Sequence, residues 1–245
     1  MDPDRRTARV AGTLFVLATA ASLMGSALES PVGTEAGYLA RGAANLDRAS
    51  AGVLLELIAA GASVAIAISL FPVLRRWGPG LAVGSVVFRA IEGVMYGVGA
   101  IGLVAILGVG QQLTIAASAD RAALQAIGDA FLALREGAVL AGVFAFAVGA
   151  SAYYAILFRS RLVPRWLSGW GIAAEVLVLA ACVAALFSHN AITSYAIVML
   201  PIAVQEMALA GWLLVRGFDP RATEPGSRRT TDERARGPRP GTLTA

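Results

Sequence analysis

Seven ionisable side chains interrupt the long apolar stretches of this sequence. Five are glutamates and two are arginines: Glu56, Glu92, Glu136, Glu175 and Glu206, with Arg89 and Arg135. A charged side chain at the centre of a membrane costs about 2.5 to 3.5 kcal/mol on insertion scales, so such groups usually face a bundle interior or a water-filled cavity. A carboxyl group there can exchange a proton, pair with a cation or hold a polar ligand. These residue types therefore predict a buried polar centre built on carboxylate chemistry.

The elements that position these groups are six apolar segments. The chain has 245 residues, 57% hydrophobic and 15% charged, with a mean hydropathy of +0.70, which is typical of a membrane protein. A hydrocarbon core of about 30 Å needs about 20 helical residues. The segments of that length are residues 10–28, 51–74, 81–107, 138–158, 167–187 and 194–215. We therefore expect an all-α, polytopic integral membrane protein with a six-transmembrane-helix bundle. A β-barrel would show short alternating segments instead.

Arginine placement predicts the orientation of the bundle. Arginines cluster before the first span, in alternate loops and after the last span: Arg5, Arg6, Arg9, Arg75, Arg76, Arg159, Arg161, Arg165 and Arg216. By the positive-inside rule, both termini are cytoplasmic. Four tryptophans fall near the same span ends, as interfacial indoles do: Trp77, Trp166, Trp170 and Trp212. A cleaved signal peptide in place of the first span is the alternative, but its removal would break the alternation of arginine-rich loops.

The segments outside the spans predict one transmembrane domain with a short N-terminal segment and a C-terminal tail. Residues 1–9 form a cytoplasmic N-terminus, residues 10–216 the transmembrane domain, and residues 217–245 a disordered cytoplasmic tail rich in Pro, Gly and Arg. The outer loop after the first span should hold a turn and a short interfacial helix. A second outer helix should follow residue 111, capped by Ser118, with Leu124, Ile127 and Phe131 on one face.

Several kinds of chemistry are disfavoured by what the sequence contains. Cys182 is the only cysteine and His189 the only histidine, so neither a thiolate cluster nor a histidine metal site can form within one chain. The serine-hydrolase pattern GxSxG and the zinc-protease pattern HExxH are absent from the chain. We therefore expect no metal ion, no cofactor and no nucleic acid, and a lipid bilayer as the surrounding partner.

Counting residues along the spans divides the charged groups into two levels. At about 1.5 Å per residue, Arg89, Glu92, Glu175 and Glu206 lie about 12 to 17 Å from the cytoplasmic ends of their spans. The predicted inner centre consists of these four with Tyr96 and Gln205. The predicted outer set, nearer the opposite surface, is Glu56, Arg135 and Glu136.

The third span shows how the inner groups are presented. Ser85, Arg89, Glu92, Tyr96 and Gly99 recur at spacings of four and three, which places them on one helical face. That face should point inward. A GxxxG pair on a neighbouring strip would allow a close helix contact.

The charge balance of the inner centre leaves two interpretations open. Three carboxylates share one arginine, so we expect at least one of them to be protonated or neutralised by a bound cation. In the first interpretation these groups only hold helices together, Arg89 bonding Glu92 and a second helix. In the second they form a ligand or ion site.

The motifs gathered here resemble those of a family of bacterial multi-pass membrane proteins catalogued as domain of unknown function 4386. The matching segments are residues 6–12, 54–57 and 71–74, Phe88-Arg89-Ala90-Ile91-Glu92, Ala133-Leu134-Arg135-Glu136, and residues 159–168 and 200–207, followed by Trp212, Gly217 and Phe218. The resemblance covers about residues 6 to 218. It implies a single domain in a bacterial plasma membrane, with the same charged positions and no assigned activity. Where the family often has Asp after the span-four arginine, this chain has Glu136.

Three functions fit these observations. The favoured one is a membrane protein whose buried centre binds a proton, a cation or a small polar ligand, and a transporter is one protein of this kind. The second is an accessory or assembly subunit that docks another membrane protein. The third is an intramembrane enzyme that uses a carboxylate pair as acid and base, which is the least favoured because no span carries an aspartate or a complete catalytic motif.

Overall fold

The computed structural model describes residues 3–33 and 36–220, and within them the chain consists of helices joined by short turns and loops, without strands. The helices are α1 (Pro3–Glu29), α2 (Tyr38–Ala44), α3 (Leu46–Leu74), α4 (Pro79–Ile115), α5 (Arg121–Ser160), α6 (Arg165–Ser188) and α7 (Ala196–Val215). Short 3-10 helices cover Ser30–Val32 and Ile192–Tyr195. Six of the helices are long and apolar enough to cross a membrane. The predicted all-α, six-helix membrane fold is confirmed.

The six long helices form a closed ring. Helix α1 packs against α3, α3 against α4, α4 against α5, α5 against α6, α6 against α7, and α7 returns to α1. Each helix therefore turns one face to a common centre. A ring of this kind can carry polar groups on its inner faces while its outer faces stay apolar.

Glycines allow close packing of neighbouring helices at two interfaces of the ring. A Cβ on Gly12 of α1 would lie 2.8 Å from Leu214 Cγ and 3.0 Å from the Ala210 carbonyl oxygen of α7. The GxxxG pair of α4 is used only in part. A Cβ on Gly93 would lie 2.8 Å from Val64 of α3, whereas one on Gly97 would meet nothing within 4 Å. Small residues thus close the ring where α1 meets α7 and where α3 meets α4.

The second outer helix predicted after residue 111 is not a separate element. Helix α4 continues to Ile115, and α5 then runs unbroken for 40 residues. Ser118 does not cap it, because α5 begins after Asp120. The helix passes through Arg135 without a break because no proline interrupts it and the arginine is paired inside the bundle.

The short helix predicted in the first outer loop is present as α2. Tyr38 and Leu39 are buried, and the Tyr38 hydroxyl donates a 2.9 Å hydrogen bond to Asp129 Oδ1 of α5. Burial and the neighbouring Asp129 raise the pKa of Tyr38, so its phenol stays protonated and donates. Leu39 also contacts Gly110 of α4. Helix α2 therefore folds back over the bundle.

The arginine-rich segments gather at one end of the bundle. Arg76, after α3, pairs with Asp4 at the start of α1 through contacts of 2.8 and 2.9 Å. The Asp219 amide after α7 donates a 2.9 Å bond to the Leu162 carbonyl in the α5–α6 loop. Helix α1 begins already at Pro3, within the stretch expected to precede the bundle. Residues 221–245 of the predicted disordered tail lie outside the described part.

Candidate functional site

Arg89 is the hub of the inner charged group. It lies on the inward face of α4 and is 2% exposed. Its Nη1 is 3.2 Å from Glu92 Oε2 one turn along the same helix, and its Nη2 is 4.0 Å from Glu206 Oε1 of α7. Ser85 and Gly99 on the same face are also buried, which confirms the predicted inward orientation.

Two aromatic rings of α5 enclose the Arg89 guanidinium. Its Cζ lies 4.6 Å from the ring centre of Phe146 and 5.9 Å from that of Tyr153. Such cation–π contacts contribute about 2 kcal/mol or more when the pair is desolvated. Gly149 permits the approach, since a Cβ there would lie 3.2 Å from both Arg89 Cγ and its backbone nitrogen. Neither ring was predicted to lie at the site, because an aromatic side chain in an apolar span does not indicate what it packs against.

Glu92 and Glu206 each receive one hydroxyl donor. Ser63 Oγ of α3 donates a 2.8 Å hydrogen bond to Glu92 Oε1, and the Tyr153 hydroxyl donates a long 3.5 Å bond to Glu206 Oε1. Glu92 Oε2 and Arg89 Nε are buried without a hydrogen bond within the described chain. The centre is thus held together by charge more than by saturated hydrogen bonding. Ser63 was also missed, since an isolated serine in an apolar span carries no signal.

Glu175 of α6 joins this group without a direct bond. It is completely buried, and neither carboxyl oxygen has a hydrogen-bond partner in the described residues. It interacts electrostatically with Glu206, Arg89 and Glu92. The structure therefore brings together the four charged residues that depth counting had grouped. We call Arg89, Glu92, Glu175 and Glu206 the inner centre.

Gln205 and Tyr96 have different surroundings from each other. Gln205 is fully buried, accepts a short hydrogen bond from the Tyr154 hydroxyl and donates a 3.0 Å bond to the Leu167 carbonyl of α6. It ties α5, α6 and α7 together and is not part of the cavity described below. Tyr96 lies beside Gly142 of α5 and lines that cavity. The structure thus separates a helix-joining residue from a cavity residue.

A second cluster lies toward the other end of the ring. Arg135 Nη2 is 2.6 Å from Glu29 Oε2, and its Nη1 is 3.1 Å from Glu56 Oε2. Nη1 also donates a 2.9 Å bond to the Gly99 carbonyl of α4. We call Glu29, Glu56 and Arg135 the outer cluster. It joins α1, α3, α4 and α5.

The membership of the outer cluster differs from the predicted set. Glu29 was missed because it was assigned to a loop, whereas it ends α1, and Gly52 of α3 leaves room for its stem. Glu136, which was predicted at this level, lines the same cavity as Arg135 but forms no ion pair within residues 3–33 and 36–220. Adjacent residues on a helix point in different directions, so Arg135 and Glu136 do not pair with each other.

Both charged groups open onto one cavity. Its volume is about 550 Å³, and all six long helices contribute to its wall. Arg89, Glu92 and Glu206 line it at one level, and Glu29, Glu56, Arg135 and Glu136 at the other. Apolar residues line the space between, among them Val139, Val143, Met199 and Ile202. The inner and outer charges are therefore connected through a shared space.

Comparison with known proteins places the whole bundle in one family. Residues 10–217 match the family model described as Domain of unknown function (DUF4386). The chain belongs to this family. Neither a search of curated proteins nor a search of solved structures gave a match. The matched range of this DUF4386 chain contains every charged residue of both groups.

The cavity of the DUF4386 bundle reaches the surface. Ser30 and Thr193, both exposed, belong to its wall at the end where α1 stops and α7 begins. Leu23 of α1 also lines it while being 66% exposed on the bundle exterior. The space is thus accessible from one end and along the side of α1.

The cavity wall carries more acidic side chains than basic ones. Five carboxyls line it, from Glu29, Glu56, Glu92, Glu136 and Glu206, against the two guanidinium groups of Arg89 and Arg135. Full ionisation would leave a net charge of −3, from two positive and five negative groups. No three His, Cys, Asp or Glu side chains converge on a metal-ion position in the described residues. The DUF4386 cavity is therefore suited to protons or a positively charged or polar guest.

Proposed function

We propose that this chain binds a proton, a cation or a small polar ligand in its central cavity and moves it across the membrane. The observation that carries the proposal is the single cavity whose wall holds five carboxyls and two arginines. Its volume of about 550 Å³ falls in the range of roughly 300 to 1,000 Å³ found for small-molecule sites.

A purely structural role explains these groups less well. Hydrogen bonds between membrane helices contribute about 0.6 kcal/mol on average, so little stability is gained from many buried charges. Arg89 is already paired with Glu92, which leaves Glu206 at 4.0 Å and Glu175 without a bond. Apolar residues at those positions would pack the ring at a lower desolvation cost. The presence of carboxyl groups without close partners beside a cavity therefore supports the binding of a ligand there.

We also infer that the chain lies in the bacterial plasma membrane with both termini in the cytoplasm. The arginine-rich segments meet at the end of the bundle that carries Asp4 and Asp219, as the positive-inside rule requires of the cytoplasmic end. The accessible end of the cavity, at Ser30 and Thr193, then faces outward.

A cavity-filling variant tests the binding step. Ala203 of α7 lines the cavity, and Ala196 on the same helix is exposed and outside it. In a thermal-shift panel of inorganic cations, organic cations and polar metabolites, at least one compound should stabilise the wild type and Ala196→Trp but not Ala203→Trp. If every compound affects Ala203→Trp as it affects the wild type, the cavity is not a binding site.

Proteoliposome flux tests the transport step. Glu206→Gln and Glu175→Gln keep the side-chain shape and remove the ionisable group. We expect the flux of protons or of a compound bound in the panel to fall in both variants, while Asp47→Asn, at an exposed site outside the cavity, transports as the wild type does. Unchanged flux in folded Glu206→Gln and Glu175→Gln would exclude these carboxyls from transport.

A further inference from the structure

The cavity wall favours a positively charged guest over an anionic one. Both arginines that reach the cavity already face carboxylates, Arg135 at 2.6 and 3.1 Å and Arg89 at 3.2 Å. An anion would have to displace those partners and would meet the remaining carboxyls. A cation would instead reduce the excess of negative charge.

Glu206 is the carboxylate best placed to receive the cation. It lines the cavity with its side chain 13% exposed, and its two protein contacts are weak, at 4.0 Å to Arg89 and 3.5 Å to Tyr153. Glu92, which lines the same level, is 3% exposed, and its Oε2 accepts no hydrogen bond in the described chain. One partly exposed carboxylate, that of Glu206, and one buried carboxylate, that of Glu92, therefore border one end of the cavity with acceptor capacity left.

The arrangement of the carboxyls favours an organic cation over a bare metal ion. A hard metal cation needs several oxygen ligands converging at a short distance. The described residues contain no group of three acidic, cysteine or histidine side chains that could do this. A cavity of about 550 Å³ also exceeds the space that one ion occupies.

The remaining wall favours a guest with an apolar body. Between the two charged levels the cavity is lined by Val139, Val143, Met199 and Ile202. On the α1 side it reaches Leu23, which is 66% exposed on the exterior of the bundle. An apolar group bound here would be removed from water, and in a bilayer the path past Leu23 would lead from the hydrocarbon region.

We propose that the cavity selects an amphiphilic organic monocation, with its positive group at the Glu206 carboxylate and its apolar body against Val139, Val143, Met199 and Ile202. This inference rests on the binding function proposed above and adds the class of ligand. The carboxylates at one end of the cavity require a positive charge on the ligand, and the apolar wall in the middle requires an apolar body.

Equilibrium dialysis with tetraphenylphosphonium tests the proposal on the full chain in a nonionic detergent, after subtraction of protein-free micelles. Tetraphenylborate has nearly the same shape and the opposite charge, and tetramethylammonium has the charge without the apolar body. We expect saturable binding of tetraphenylphosphonium, at least about tenfold tighter than either control compound.

Variants locate the binding. Glu206→Gln should weaken tetraphenylphosphonium binding at least about tenfold, since a buried charge pair is lost. Ala203→Trp should abolish it by filling the cavity even if Glu206→Gln does not fold, and Asp47→Asn should bind as the wild type does. Equal binding of tetraphenylborate, or unchanged binding by Ala203→Trp, would overturn the proposal.

One pair of outcomes separates this inference from the proposed function. If tetraphenylphosphonium does not bind but a neutral polar compound stabilises the wild type and not Ala203→Trp, the ligand class is wrong and the binding function stands. If no compound distinguishes the wild type from Ala203→Trp, both fail.

Discussion

The inner centre and the outer cluster use the same residue types in opposite ways. In the outer cluster, Arg135 makes close contacts of 2.6, 3.1 and 2.9 Å to Glu29, Glu56 and the Gly99 carbonyl. In the inner centre, Arg89 reaches Glu92 at 3.2 Å and Glu206 only at 4.0 Å. Close pairing in the outer cluster connects four helices, whereas looser pairing in the inner centre leaves carboxylate oxygens without a hydrogen bond in the described residues. We call the outer cluster the clamp of the bundle for this reason.

Burial also differs between the two groups, most of all for Arg89 and Glu175. The side chains of the outer cluster are 11 to 16% exposed and that of Glu206 is 13% exposed, while Arg89 is 2% exposed and Glu175 is completely buried. A buried charge that loses its partner cannot be compensated by water, so its removal costs more than the removal of a partly exposed one. Substitutions in the two groups should therefore change the free energy of unfolding by different amounts. For one residue, Glu175, the change should have the opposite sign.

Arg89→Met should have the largest effect. It removes the positive charge that faces Glu92, Glu206 and Glu175, leaving buried carboxylates uncompensated, at an expected cost of about 3 to 5 kcal/mol in the free energy of unfolding. Denaturant titration of the purified protein in detergent measures it. A loss below about 1 kcal/mol would mean that the inner charges do not depend on Arg89.

Arg135→Met should cost less, about 2 kcal/mol, because its two carboxylate partners are partly exposed beside the cavity and can be hydrated. The same denaturant titration, run in parallel with Arg89→Met, gives the ratio of the two losses. If Arg135→Met lost as much unfolding free energy as Arg89→Met or more, the outer cluster would contribute at least as much to stability as the inner centre.

Glu175→Met should have the smallest effect and the opposite direction. Glu175 has no hydrogen bond in the described residues, so an apolar side chain of similar size should leave the unfolding free energy unchanged or raise it by about 1 kcal/mol. Glu92→Met is the matched control, because it breaks contacts with Ser63 and Arg89 and should destabilise. If Glu175→Met destabilises the protein as much as Glu92→Met does, Glu175 stabilises the packing of the helices.

Regular periodicity made most of the fold predictable. The six apolar runs, the inward face of α4 and the short helix α2 all follow from local patterns of residue type. The single helix α5 was not foreseen, because Arg135 and Glu136 look like residues just before the start of a span when their partners are unknown. Those partners lie on α1 and α3, far away in the sequence.

The sequence by itself determined that this chain forms six membrane-crossing helices and that Arg89, Glu92, Glu175 and Glu206 share one depth, because helical rise and hydropathy are local properties. Only the tertiary structure decided how those charges are paired. It added Glu29, Ser63, Phe146 and Tyr153, and it placed Gln205 in contacts between helices. It also paired Arg135 with Glu29 and Glu56 and joined both levels in one cavity. Pairing depends on the rotation and spacing of neighbouring helices, and these are fixed by packing between segments that the sequence keeps apart.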